Sequence, residues 1–233
     1  KLNEMQAGNL CLIENIRFLK EEENIDLNFA KKISSLFDVY VNDAFSASHR
    51  NHASITAFPK FLPAVAGNHM INEIDNINFF LENSEKPNMA IVGGSKISTK
   101  IQLLNNLIEQ FNVVAIGGAM ANTFLLANKN NIGKSMVEKD LINEANNIKL
   151  KAEKLNCELI LPSDVVCGKN FNDKNPNLRK INEILPEEMI LDIGQNSTQF
   201  INNKVNNSKM LLWNGPVGAF EFKPYDKATN AIA

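Results

Sequence analysis

Arginine is scarce in this sequence. Of its 24 basic residues only Arg17, Arg50 and Arg179 are arginine, and the other 21 are lysine. Set against 26 acidic residues they leave a formal net charge of −2. That balance lacks the strong positive excess of a nucleic-acid-binding domain. Cysteine is scarce as well. Cys11, Cys157 and Cys167 are odd in number, widely spaced and form no C-x-x-C pair, which excludes a zinc or disulfide framework and fits a reducing cytoplasm. No apolar run approaches the roughly 18–20 residues that cross a bilayer. The longest, Val113 to Ala121, contains a glycine pair. No secretory apolar region stands near the start, and neither a Walker A loop nor G-x-G-x-x-G occurs.

What is present is an ordinary globular composition, 44% hydrophobic and 21% charged over 233 residues, enough for one large domain or two smaller ones. The chain starts at Lys1 rather than Met and stops within 226–233, a segment with the pattern of a starting helix. It therefore reads as cut at both ends.

Short apolar runs alternate with helical patterns. Strands are expected at 10–13, 39–41, 89–92, 113–116, 159–161, 189–193 and 210–213. Helices are expected at 27–37 with Asp26 as cap, at 99–110 with Ser98 as cap, and at 138–155. This alternation implies βαβ units, right-handed crossovers and mostly parallel sheets, hence an α/β fold. The stretch 64–83 has helical spacing through Val65, Met70, Ile74 and Ile77, and a polar, proline-containing segment follows it. It reads as a connector between a domain within 1–63 and another over 84–233.

The chemically distinctive residues cluster just after the expected strands, where ligands bind in open parallel sheets. Gly93-Gly94-Ser95-Lys96-Ile97-Ser98-Thr99-Lys100 runs from strand to helix. Its glycines allow backbone N–H groups to approach a ligand, and the helix start carries partial positive charge. Lys96 and Lys100 oppose that dipole unless an anion neutralises them, and phosphate is the natural candidate. A plain turn with two solvated lysines is the alternative. Gly117-Gly118-Ala119-Met120-Ala121-Asn122 repeats the theme, with small residues that leave room for a flat ligand such as a purine, or simply for close helix–strand packing. In Trp213 to Glu221, glycine and proline fix a sharp turn. Asn214 can donate to phosphate oxygens and Glu221 can accept from ribose hydroxyls, unless both are merely structural. Arg17 and Arg50 each follow a strand of the first unit and offer a planar fork for an anion; salt bridges or caps are the alternative. His49 and His52 lack the companions of a metal site, and Glu21–Glu23 reads as a solvated acidic turn.

Taken in order, Glu14–Phe18 with Glu21–Glu23, Val41–Phe45 with His49–His52, Phe61–Gly67, Gly93–Lys100, Gly117–Phe124, Ile132–Ser135, Leu161–Asp164, Leu191–Gly194 and Trp213–Glu221 resemble phosphoglycerate kinases along nearly the whole chain. The resemblance implies two Rossmann-like three-layer domains with parallel sheets joined by a helical hinge. Residues 1–63 would be the C-terminal part of the phosphoglycerate-binding domain, 64–83 the hinge, and 84–233 the nucleotide-binding domain. The implied reaction is reversible phosphoryl transfer from 1,3-bisphosphoglycerate to ADP, giving 3-phosphoglycerate and ATP in glycolysis. Mg²⁺ would travel with the nucleotide, in a cytoplasmic, monomeric enzyme without nucleic-acid or membrane partners. By the same resemblance Arg17 and Arg50 bind the phosphoglycerate. Lys96 stabilises the phosphoryl group in flight, and Lys100 contacts the nucleotide phosphates. Gly94, Gly117, Gly118, Met136 and Leu191 shape the adenosine pocket, Asn214 reaches the phosphates and Glu221 the ribose.

Ser46, Thr99, Ala119 and Gln195 depart from the residues common in that family, without touching Arg50, Lys96 or Lys100. The family's N-terminal substrate loop and its Mg²⁺-binding aspartate have no counterpart between Lys1 and Ala233. Both domains are thus expected to be incomplete, no metal ligand is expected within this chain, and the fragment itself is expected to be inactive. A Rossmann-like nucleotide-binding protein without kinase activity is the alternative.

Overall fold

The computed structural model describes residues 5–83 and 85–233. The chain forms two compact units, Lys1–Asn83 and Ser84–Ala233. The first holds α1 (Lys20–Glu23), α2 (Leu27–Ser34), β1 (Tyr40–Asn42), β2 (Ala64–Ala66) and α3 (Asn68–Glu82). The second holds β3 (Asn88–Val92), α4 (Ile101–Gln110), β4 (Val113–Ile116), α5 (Met120–Ala127), α6 (Ile142–Lys154), β5 (Glu158–Ile160), β6 (Asp164–Gly168), β7 (Asn177–Lys180), β8 (Met189–Ile193), α7 (Gln195–Asn206), β9 (Met210–Asn214) and α8 (Lys227–Ile232).

In the first unit β1 and β2 pair in parallel, Tyr40 opposite Ala64. Ala30, Ala53, Ala57 and Phe58 form its small core, with Phe29 and Tyr40 packed against it. Asp26 caps α2 as expected. Its Oδ1 accepts from the N–H groups of Asn28 at 2.8 Å and Phe29 at 2.9 Å, two donors that a helix start otherwise leaves unpaired.

Three expectations for this unit fail. Residues 10–13 form no strand; Leu10 and Leu12 are fully exposed, and an apolar run becomes a strand only where a neighbour supplies the ladder. The helix expected from residue 64 starts at Asn68, because 64–66 is taken by the sheet and Asp43 reaches across to accept from the Met70 N–H at 3.0 Å. Glu22 is not solvated. It is 1% exposed and accepts from Ser54 N at 2.8 Å and Ser54 Oγ at 2.5 Å, with His52 Nδ1 at 3.7 Å.

The second unit is built on a parallel sheet of order β5-β4-β3-β9. Every residue of β3 and β4 is buried, which is why both read as unbroken apolar runs rather than alternating ones. Met89, Ile91, Val113, Ala115, Ile193 and Ile201 make up much of the core. In α4, Leu104, Leu107 and Ile108 are buried, the spacing of one helical face.

A three-stranded antiparallel sheet, β7-β6-β8, adjoins this arrangement. It was not expected: β7 is mostly exposed and polar, and β6, though largely buried, pairs antiparallel with partners on either side rather than joining the parallel sheet. Arg179 lies on β7 and makes a two-pronged contact with the buried Glu188, Nη2 to Oε1 at 2.7 Å and Nε to Oε2 at 3.0 Å. The guanidinium hydrogen bonds hold the Glu188 carboxyl below its usual range. The third arginine therefore has a structural role.

Candidate nucleotide site

The parallel register brings three loops together. Val92 of β3 stands opposite Ile116 of β4 on one side and Asn214 of β9 on the other. The chain thus leaves the sheet at 93, 117 and 215 side by side, at one rim. The loops are tied to one another through the backbone: Gly93 N–H donates to Asn214 O at 2.9 Å, Gly117 N–H to Val92 O at 2.9 Å, Gly118 N–H to Val217 O at 2.7 Å and Met120 N–H to Gly94 O at 3.0 Å. Such close approach demands glycine at two positions above all. A Cβ on Gly93 would lie 1.8 Å from Pro216 O. Gly118 has φ +67°, and a Cβ there would lie 2.5 Å from Gly94 O.

Lys100 closes one end of this cluster. It immediately precedes α4, whose first turn has no side-chain cap; Ser98, expected to cap it, is engaged elsewhere. Lys100 Nζ donates to the Asn214 carbonyl at 3.3 Å and also to Asn214 Oδ1. Partial burial lowers its pKa from the ordinary lysine value. Lys96 is exposed, and its ammonium makes no hydrogen bond or ion pair among the described residues. Between the two lysines Ser98 is clamped by Glu138, which accepts from Ser98 N at 3.0 Å and Ser98 Oγ at 2.6 Å. Burial tends to raise the Glu138 pKa, but these hydrogen bonds and the nearby Lys96 bring it below its usual value.

Behind the loops opens a cavity of about 410 Å³, a size ordinary for a small-molecule site. Gly94, Gly118, Met136, Leu191 and Glu221 line it. Five of the eight residues assigned to the nucleotide from sequence thus share one cavity. Lys100 and Asn214 stand together beside the cavity rather than on its lining, and Lys96 lies on the same loop as Lys100. Gly117 lies behind the wall, where a Cβ would come within 2.7 Å of Val217 Cβ.

Sequence reasoning missed Phe171 and Phe222. Their rings pack 5.1 Å apart at 38° and both border the cavity, a pairing across 51 positions that leaves no local signal. It also missed the Glu138 clamp on Ser98.

Two carboxylates near this rim hold helices. Asp164, 3% exposed, accepts from Asn196 N at 3.0 Å and Ser197 N at 2.8 Å, so it caps α7 from a neighbouring strand. Asp192, 2% exposed and on the cavity lining, accepts from Ala228 N at 3.0 Å at the start of α8 and from Ile193 N at 2.9 Å. Burial pushes its pKa up to about 7, with Asp226 adding to the effect.

In the first unit Arg17 sits in a tight turn at 16–18, and its backbone N–H donates to Asn15 Oδ1 at 3.1 Å. Arg50 follows the turn at 45–47. Both are exposed, and neither guanidinium makes a hydrogen bond or ion pair among the described residues, unlike that of Arg179.

The sequence model of the family described as phosphoglycerate kinase matches residues 1–233. A phosphoglycerate kinase of Rhodospirillum centenum is 42% identical over 230 residues, 98% of this chain and 58% of that protein. One of Caulobacter vibrioides is 45% identical over 233 residues, 100% of this chain and 59% of that protein. Among solved structures, the phosphoglycerate kinase of Coxiella burnetii superposes with a TM-score of 0.79 at 36% identity, over 94% of this chain and 57% of that one. The chain therefore spans a little under three fifths of the length of the relatives it matches, and over that span it belongs to the phosphoglycerate kinase family.

Proposed function

We propose that this chain carries the nucleotide-binding part, and a portion of the substrate-binding part, of a phosphoglycerate kinase. The reaction is reversible transfer of a phosphoryl group from the carboxyl phosphate of 1,3-bisphosphoglycerate to ADP, giving 3-phosphoglycerate and ATP. The observation that supports it most is the junction of the 410 Å³ cavity with a lysine-bearing loop. The cavity has room for adenosine, and the neighbouring Lys100 and Asn214 offer donors where phosphates would emerge.

In this reading Gly94, Gly118, Met136 and Leu191 enclose the base and sugar, and Glu221 accepts from the ribose hydroxyls. Gly117 fixes the wall by packing on Val217. Lys100 and Asn214 donate to the nucleotide phosphates. Lys96, held on the loop that Glu138 pins through Ser98, stabilises the charge that spreads over three equatorial oxygens during transfer. Arg17 and Arg50 bind the phosphoglycerate phosphate, for which their free guanidinium forks are suited. Catalysis of this kind rests on positioning and charge stabilisation, and needs no protein nucleophile.

Mg²⁺ is expected with the nucleotide, where it would neutralise phosphate charge. The loops at 93–100 and 214–216 carry no carboxylate, so these residues do not fit a metal site of their own, and no step here runs through the ion. A cytoplasmic, monomeric protein is part of the same proposal.

Calorimetric titration of the 233-residue chain with ADP, with NAD as competitor, tests the nucleotide reading. ADP should bind and NAD should fail to displace it. Displacement by NAD, or no binding of ADP, would overturn it. A coupled assay then separates kinase from simple binder: Lys100→Ala in a chain extended to the length of its relatives should lose most turnover while keeping its fold. Unchanged turnover would refute the role given to Lys100.

A further inference from the structure

Asn122 is a buried polar side chain that the mechanism above does not use. It sits in the first turn of α5, is fully buried, and lines the same cavity as Met136 and Leu191. Its Nδ2 donates to the Met136 carbonyl at 2.9 Å. Its Oδ1 is buried and has no hydrogen-bond partner among the described residues. A buried acceptor left unpaired is costly, and such groups are uncommon in folded proteins.

The contact with Met136 settles which end of the amide is left over. Flipping it would turn Oδ1 against the Met136 carbonyl, two acceptors face to face, and would strand the NH₂ group instead. The unsatisfied group is therefore an acceptor. A ligand that completes this wall must bring a donor. Of the other polar side chains named on this lining, Glu221 is assigned to the ribose and Asp192 already accepts from Ile193 N and Ala228 N, so Asn122 is the one among them with a buried acceptor left unused.

We propose that Asn122 is a specificity-determining residue of the site, accepting a hydrogen bond from the exocyclic amino group of an adenine. This rests on the nucleotide reading given above and refines it. The same residue holds Met136 against the cavity through its other end, so the base contact and the wall position are linked through one amide. An adenine satisfies Oδ1. A purine with hydrogen at that position leaves it buried and unpaired, and sites built around a hydrogen bond discriminate strongly against analogues that lack it.

The test uses the whole 233-residue chain and two probes: ADP, and purine riboside 5′-diphosphate, which is ADP with hydrogen in place of the 6-amino group. Dissociation constants are measured by calorimetry for the native chain, for Asn122→Leu, and for Asn122→Ala in case the bulkier side chain impairs folding. The native chain should prefer ADP by roughly tenfold, and the preference should fall close to one in the variants. Loss of the Met136 contact would weaken both probes together and leave the ratio unmoved, so the ratio isolates the base contact. A preference that persists in both variants, or equal affinity of the native chain for the two probes, overturns the assignment of Asn122 alone. Failure of the native chain to bind either probe overturns the nucleotide reading and this assignment with it.

Discussion

Replacing Gly93 by alanine should unlock the rim of the sheet. The added Cβ would stand 1.8 Å from Pro216 O and 2.8 Å from Gly215 O. Both are backbone atoms, so no side-chain rotation relieves the clash, and the 214–217 loop must move by more than 1 Å to reach ordinary contact. That loop is anchored at both ends. Gly93 N–H bonds Asn214 O, and Val217 O accepts from Gly118 N–H, so the shift strains both ties. Overpacking costs about 1–3 kcal/mol, and a buried amide left unpaired about as much again. Alanine recovers roughly 0.4–1 kcal/mol by restricting the unfolded chain. The net loss should be about 2–4 kcal/mol.

Urea unfolding followed by tryptophan fluorescence suits the test, because Trp213 is the single tryptophan and lies on β9 beside this loop. With a slope of about 2 kcal/mol per molar urea, the midpoint should drop by about 1–2 M. Gly8→Ala is the control. Its φ of +88° adds a backbone strain of its own, which Gly93 does not have, but nothing lies within 4 Å of its Cβ position, and it belongs to the other unit. It should leave the Trp213 transition in place. A Gly93→Ala midpoint equal to that of the native chain would refute the claim that the β3 and β9 loops are locked together.

Lys100→Met should weaken ADP binding by about 10- to 100-fold, the worth of a charge-assisted hydrogen bond to phosphate, while adenosine affinity stays the same; an equal loss for both, measured by calorimetry, would place Lys100 outside the phosphate subsite. Asp192 predicts a pH effect. Its folded pKa of about 7 lies above the ordinary aspartate value, so the folded state holds a proton that the unfolded chain has released, and the Asp192 contribution must decline as pH rises from about 4 to 7. The limit is about 4 kcal/mol. Urea unfolding of the native chain and Asp192→Asn at pH 5 and pH 8 should show the native chain losing ground relative to the variant at the higher pH, and a constant difference would contradict the sign.

The parallel sheet was legible because its inner strands are buried on both faces. Residues 113–116 match β4 to the residue, and 89–92 differs from β3 by one; the expected strand at 189–193 also matches β8, but it pairs in the antiparallel sheet instead. The loops that follow were legible for the same reason, since glycines and lysines after an apolar run mark a rim. What escaped depends on partners distant in sequence. The strand β7 carries no apolar pattern because its ladder lies at an exposed edge. Glu22 hides in an acidic run, yet is drawn inside by Ser54 and His52, some thirty positions on. Lys100 and Asn214 were each assigned to phosphates, but their mutual contact spans 114 positions.

The same comparison separates two kinds of polar residue at strand ends. Asp43, Asp164 and Asp192 all lie at or beside strand ends, and by position alone each resembles a ligand-binding residue. In the structure each carboxyl group accepts from the first turn of a helix, so its acceptor capacity is directed into the fold. Arg17, Arg50 and Lys96 have no such partner among the described residues, while Arg179 is fully engaged with Glu188. Lys100 stands between the two groups. Among the described residues its ammonium is held by a neutral carbonyl and a neutral amide, both from Asn214. Neither compensates its charge, and burial already disfavours that charge. An arriving phosphate would supply both the missing counter-charge and stronger acceptors, displacing Asn214, whose NH₂ group would then be free to turn toward the same phosphate. For this reason the aspartates serve as scaffold, and the cations without an ion pair among the described residues are, in the reading proposed above, the groups left to meet phosphorylated ligands, each within its own unit.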